Sequence, residues 1–202
     1  MTALEQMKYW IVVPKYAENQ IKNPTFAHPE FVTGWTASGG TVAESGDGAR
    51  WGVYSMKVTP TSGVESYAYY SGLKVTAGLP YTFSCYVKGV AGQAMRIQIR
   101  QTTTIKATKQ FTATGYWQRV EVSYTPTVTA TDYRAYVVRD AVASTAPFYI
   151  DGAQFEQASK ASTFFDGYSP GCRWTGTIRN SPSERSANTG LGGELVDLDT
   201  YC

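Results

Sequence analysis

Between Tyr81 and Lys88 the chain reads Tyr-Thr-Phe-Ser-Cys-Tyr-Val-Lys, with apolar side chains at every odd position and mostly polar ones between. A period of two puts Tyr81, Phe83, Cys85 and Val87 on one face of an extended strand, and no helix can gather them on one side. The same period recurs in Met95–Arg100 and in Gln118–Tyr124, each bounded by Gly, Thr or Pro. These are expected to be half-buried antiparallel strands. Further strands are expected over 53–59, 65–71, 107–112, 133–139 and 148–151, about eight in all. No run of ten residues keeps an apolar spacing of three and four, so helix is minor at best. The expected fold is all-β: two packed antiparallel sheets, a β-sandwich or jelly roll, with extended terminal arms.

One block of core pattern, 23–157, is expected to form the sandwich. Residues 1–22 read as an N-terminal arm or added strand, and 158–202, rich in Ser, Gly, Asn and Arg, as an extended C-terminal arm. The strand Tyr9–Val13 either pairs inside the molecule or adds to a neighbouring subunit's sheet edge. Within the arms, Trp10, Tyr168, Arg173 and Trp174 are the residues expected to grip a partner, with Trp174 as the bulky anchor.

Eighteen basic and sixteen acidic residues leave a net charge of +2, with no Lys/Arg tract, so neither nucleic acid nor a membrane is an expected partner. The apolar run Tyr9–Val13 is far short of the roughly 20 residues that span a bilayer, and no export signal is read. Three scattered cysteines, Cys85, Cys172 and Cys202, build neither a disulfide framework nor a paired metal clamp, which fits folding in a reducing cytoplasm. Cys85 is expected in the core, and the other two in the tail.

Catalysis is not expected. His28 is the single histidine, sits beside Pro29, and has no nucleophile in a recognisable setting. Among the acids, Glu121 lies on a polar strand face, Asp132 and Asp140 flank a strand, and Glu44 and Asp47 fall in a Gly-rich loop, so no two are marked as an acid–base pair. For glycan binding, Tyr69, Tyr86, Arg96, Gln98, Arg100 and Arg134 combine stacking rings with planar hydrogen-bonding groups, provided strand order puts them on one concave sheet. The bland alternative is that Tyr is a good strand residue and Arg a good solvated one.

Several stretches carry a resemblance. Asn23-Pro24-Thr25-Phe26 followed by Gly34-Trp35, then 52–58, 81–88, 117–120 and 148–156, are similar to the strands of the carbohydrate-binding jelly rolls appended to xylanases and glucanases. That resemblance implies an antiparallel β-sandwich of jelly-roll, galactose-binding-like type and, more weakly, sugar binding. It also implies a place for calcium between the first and last strands, where Asp151 matches one acidic ligand but Ala27 stands where the other is expected. The run Phe165-Asp166-Gly167-Tyr168-Ser169-Pro170-Gly171-Cys172-Arg173-Trp174-Thr175-Gly176-Thr177, with 181–186 and 192–198 after it, resembles the segment that follows such jelly rolls in minor tail proteins of long-tailed bacteriophages. It implies a structural protein of a phage tail, baseplate or fibre, made in the bacterial cytoplasm and assembled with other virion proteins and copies of itself. The alternatives are a module for host cell-wall glycan and an accessory domain of a cell-wall-degrading enzyme.

Overall fold

The computed structural model describes residues 10–14, 16–27, 34–185 and 193–197, the first and last of these in their main chain only. In chain order the strands are β1 (Trp10–Pro14), β2 (Ala17–Asn19), β3 (Trp35–Ser38), β4 (Gly40–Ser45), β5 (Ser55–Pro60), β6 (Ser66–Val75), β7 (Tyr81–Lys88) and β8 (Ala94–Gln101). They continue with β9 (Thr104–Thr112), β10 (Gln118–Tyr124), β11 (Ala130–Arg139), β12 (Phe148–Glu156), β13 (Cys172–Trp174), β14 (Ser183–Arg185) and β15 (Gly193–Asp197). Two five-stranded antiparallel sheets, in the orders β10-β7-β12-β5-β4 and β3-β6-β11-β8-β9, face each other. The fold is the expected all-β jelly-roll sandwich.

The alternation sorts the two sides of each strand. Tyr81, Phe83, Cys85 and Val87 from the first sheet meet Met95, Ile97, Ile99, Tyr133, Ala135 and Val137 from the second in one buried cluster. Removing this apolar surface from water, worth roughly 25 cal/mol per Å², is what holds the layers together. The bulge in the β11–β6 register at Gly72, whose φ is +79°, moves one extra residue into β6, so that Leu73 and Val75 return to the core side after Ser71.

The opening Asn-Pro-Thr-Phe motif is structural. The Asn23 side chain donates to the Ala27 carbonyl and accepts from its amide, both at 3.0 Å, closing a tight turn that drops Phe26 into the core. Asn19 is equally tied: its amide nitrogen donates to the Ala153 carbonyl at 3.0 Å, and its Oδ1 accepts from the Phe155 amide at 3.0 Å.

The C-terminal segment corrects the expectation of an extended arm. Residues 158–166 lie along the outer side of the first sheet and serve its polar groups. Thr82 Oγ1 donates to the Ala158 carbonyl at 2.7 Å, Gln154 Oε1 accepts from the Phe165 amide at 3.1 Å, and Glu156 Oε1 accepts from the Ser162 amide at 2.7 Å. Buried polar groups require such partners, and this segment supplies them. Thr82, Gln154 and Glu156 are buried with these partners, Ser84 is buried with its Oγ accepting from Arg119 Nη2 at 3.1 Å, and most of β7 is enclosed on both sides rather than half-buried.

Beyond it, β13-β14-β2 form a small sheet that joins the C-terminal segment to the N-terminal one. Trp174 lies against Gly167 and packs edge-on against Tyr168 at 5.8 Å, while Arg173 bonds Glu184 across the ladder. Trp174, the expected anchor, is therefore packed on its own molecule, while Tyr168 and Arg173 contact it from the surface and stay largely exposed. The main chain of β1 pairs antiparallel with β15, the intramolecular alternative for that strand; the Trp10 side chain, His28 and Cys202 lie outside the described side chains. Glu44 sits in β4, not in a loop, because Thr41 to Ser45 continue the ladder with β5.

Candidate functional site

The outer side of the second sheet gathers a tyrosine cluster. In β6 the core takes Ala68 and Tyr70, which turns Tyr67 and Tyr69 outward; in β11 the core takes Ala135 and Val137, which turns Arg134 and Tyr136 outward. Tyr136 stands in register with Tyr69 on one side and Gln98 on the other. The Tyr69 and Tyr136 rings stack with centroids 4.8 Å apart and planes 14° from parallel, and Tyr67 closes the group at 5.5 Å from Tyr136.

Arginines and an amide surround these rings. The Arg100 guanidinium lies over Tyr136 at 4.1 Å and that of Arg134 over Tyr69 at 5.3 Å, contacts favoured by the negative π face. Gln98 is buried beside them, its Nε2 donating to Thr108 Oγ1 at 3.1 Å and its Oε1 accepting from Arg100 Nε at 2.9 Å. Arg96 is held by Asp140 through Nη1 and by Glu65 through Nη2. Hydrogen bonding with Tyr136 raises the Arg134 pKa against the lowering effect of burial, with smaller charge effects of Tyr136, Tyr69 and Asp132 in the same upward direction.

Five of the six expected glycan residues, Tyr69, Arg96, Gln98, Arg100 and Arg134, thus share one sheet face. Tyr86 does not: β7 belongs to the other sheet. Alternation along a strand fixes a residue's side but not its sheet, so the pattern around Tyr86 cannot tell which of the two outer faces it joins. Tyr67 and Tyr136 were missed, although each lies two positions from a selected residue, Tyr67 before Tyr69 and Tyr136 after Arg134.

Tyr86 belongs to a second cluster on the first sheet. Trp51 meets Tyr86 edge-on at 6.1 Å and Phe164 at 5.3 Å, with the Arg50 guanidinium 4.8 Å from the Trp51 ring and 5.1 Å from that of Tyr86. Trp51 and Phe164 also line a cavity of about 340 Å³ with Tyr54, Asp166, Tyr168 and Arg179. Beneath this cluster Asp151 is buried. Its Oδ2 accepts from the Arg50 and Trp51 amides at 2.7 and 2.8 Å, and its Oδ1 accepts from the Gly152 amide at 2.7 Å. Burial pushes its carboxyl up to about 7, with the three amides pulling the other way.

This arrangement does not fit calcium on Asp151. Both oxygens face N–H donors, the opposite of the oxygen-rich shell that a hard cation needs, and Ala27 brings no acidic side chain, its carbonyl already accepting from Asn23. Among the described residues no three acidic, His or Cys side chains converge. Two acids do face each other, Glu18 and Glu184 across β2 and β14. Burial first and Glu184 second raise the Glu18 pKa, but Glu184 is itself bonded by Arg173 and the Tyr16 hydroxyl, as in a structural ladder.

Residues 18–142 match the family model described as carbohydrate binding domain, and the chain belongs to that family. Among solved structures it is similar to a family 16 carbohydrate binding module at 21% identity and a TM-score of 0.53, over 68% of this chain and 99% of that one. It is likewise similar to a cyclase from Fischerella sp. TAU at 11% identity and a TM-score of 0.59, over 73% and 100% of the two chains. With an arabinose-bound α-L-arabinofuranosidase the identity is 16% and the TM-score 0.58, over 69% of this chain; the match spans 26% of the length of that enzyme. At these identities the likeness is one of fold, and it includes both binding modules and enzymes. The search among curated proteins found no match. Nothing in these comparisons points to a bacteriophage tail protein.

Proposed function

We propose that the chain is a non-catalytic module that binds glycan on the outer face of its second sheet. The observation that carries this reading is the Tyr67–Tyr69–Tyr136 cluster, in which half-buried Tyr67 and Tyr69 lie against buried Tyr136, with Arg96, Gln98, Arg100 and Arg134 around them. Sugar rings present C–H faces that stack on aromatic rings, and their hydroxyls take bonds from planar donors, so both halves of the required chemistry meet here. Membership of a carbohydrate-binding family supports the same conclusion.

The alternative, a structural station in a phage virion, draws on the 165–177 segment. Trp174, its expected anchor, is occupied by Tyr168 and Gly167 of the same chain, which favours the binding reading.

The test is a glycan array followed by calorimetry on the best hit, with wild type, Tyr69→Ala and a control on the opposite sheet, Tyr149→Ala. Loss of one stacking ring is expected to weaken binding roughly tenfold, and the Tyr149 change to leave it alone. Undiminished binding by Tyr69→Ala would place the site elsewhere.

A further inference from the structure

Three arginines stand on the tyrosine face, and their charges are handled differently. Arg96 is neutralised by Glu65 and Asp140. Arg100 and Arg134 occupy directly opposed positions on β8 and β11, yet among the described residues no carboxylate forms an ion pair with either. Asp132, the acid whose charge acts on Arg134, accepts a bond from Gln101 Nε2 at 3.3 Å.

Like charges directly opposite on adjacent strands are unfavourable, their Cβ atoms being only about 5 Å apart. What offsets the repulsion here carries no full negative charge: the π faces of Tyr136 and Tyr69, the hydrogen bond of Arg134 with Tyr136, and the single Gln98 Oε1, which takes both Nε and Nη2 of Arg100. Each guanidinium keeps N–H donors not committed to any acid. A planar oxyanion between them would relieve the repulsion and gain charge-assisted, bidentate bonds, which neutral sugar hydroxyls cannot supply.

We infer that the Arg100–Arg134 pair makes this face selective for glycans that carry carboxylates, that is, chains containing uronic acid. The inference rests on the glycan-binding reading and adds the ligand's chemical class. The rings supply the stacking platform, and the paired guanidiniums read the acid.

The experiment uses the full chain and oligosaccharides of galacturonate, glucuronate and mannuronate, each matched with its carboxyl-reduced neutral counterpart, measured by calorimetry at low and high salt. At least one acid is expected to bind tenfold or more tightly than its neutral partner, with the preference shrinking as salt rises. Arg100→Gln and Arg134→Gln should each bring that ratio close to one, and Arg134→Lys, which keeps charge but loses the fork, should recover only part of it. Thermal melts confirm that each variant is folded.

Equal affinity for acid and neutral partners would overturn the inference while leaving the glycan site standing. So would an acid preference that survives both glutamine variants. If no oligosaccharide of either kind binds, the glycan reading falls and this inference falls with it.

Discussion

Replacing Asp151 with Asn isolates what a buried carboxyl costs in this sandwich. Asp151 accepts three main-chain amides, two on Oδ2 and one on Oδ1. An Asn side chain can keep its oxygen under Arg50 and Trp51, but its NH₂ then meets the Gly152 amide donor to donor. One buried N–H loses its partner, a cost of about 1–3 kcal/mol. The pH dependence follows from burial, which raises the folded carboxyl from 3.8 to about 7. The folded chain therefore holds this proton more tightly than the unfolded one, and the stability so contributed is full at acid pH and lost as pH rises through 7. Two pH units between 5 and 7, at about 1.4 kcal/mol each, make that loss about 3 kcal/mol. Urea unfolding of both proteins at pH 5, 6, 7 and 8 gives the difference, in which titrations common to both cancel. Asp151→Asn should be clearly less stable at pH 5, with the gap closing by pH 8. A gap that stays constant or widens with pH would mean that the amides keep the carboxyl ionised throughout, and the burial argument would be wrong.

Two other substitutions or modifications probe the core. Arg139 is fully buried, with its guanidinium donating to the Ser144 carbonyl at 2.9 Å and the Thr61 carbonyl at 3.4 Å; Arg139→Ala leaves both without that donor and opens a cavity, and should cost about 3 kcal/mol in urea unfolding. Cys85 is buried and its thiol pKa is pushed far up by that burial, whereas Cys172 is half-buried and less strongly raised, again mainly by burial. Iodoacetamide at pH 8 followed by peptide mass mapping should modify Cys172 slowly in the native protein and Cys85 only after unfolding.

The strands with strong alternation were legible. Met95, Ile97 and Ile99 and the odd residues of 81–87 all went to the core, because a period of two leaves no other way to bury them. Strand β4 was not legible: Thr41 to Glu44 are half-buried or exposed at the edge of a sheet, so they carry no apolar stripe to read. The three-residue strands β13 and β14 are too short for any period to show. Which strands become neighbours is set by contacts far apart in sequence, and so Tyr86 was grouped with side chains that lie on the opposite sheet. The tail composed of Ser, Ala and Thr read as an arm, yet those small polar residues are the partners that the buried polar groups of β7 and β12 need.

That covering is one reason the proposed glycan site is placed on the second sheet rather than the first. Both sheets present polar side chains outward, since alternation gives each strand a wet side. On the first sheet, Thr82, Gln154 and Glu156 are buried and bonded to the returning segment, and Ser162 by itself bonds both oxygens of Glu156. On the second sheet Gln98, Tyr136 and Val138 are buried as well, while Tyr67, Tyr69, Arg100 and Arg134 keep part of their surface in solvent. Its outward groups satisfy one another, Tyr69 stacking on Tyr136, Arg100 on Tyr136 and Gln98 on Thr108. Such a face loses little by exchanging solvent for a sugar ring, because its aromatic surface is already assembled in register across β6 and β11. Loosening the cover should therefore not disturb the site directly. Glu156→Gln, which weakens the charge-assisted bonds to Ser162, is expected to lower stability by about 1–2 kcal/mol while leaving glycan affinity within twofold of wild type. A parallel fall in affinity, measured by calorimetry on the folded variant, would show that the two faces are coupled through the core and would refute the view that the second sheet is preassembled.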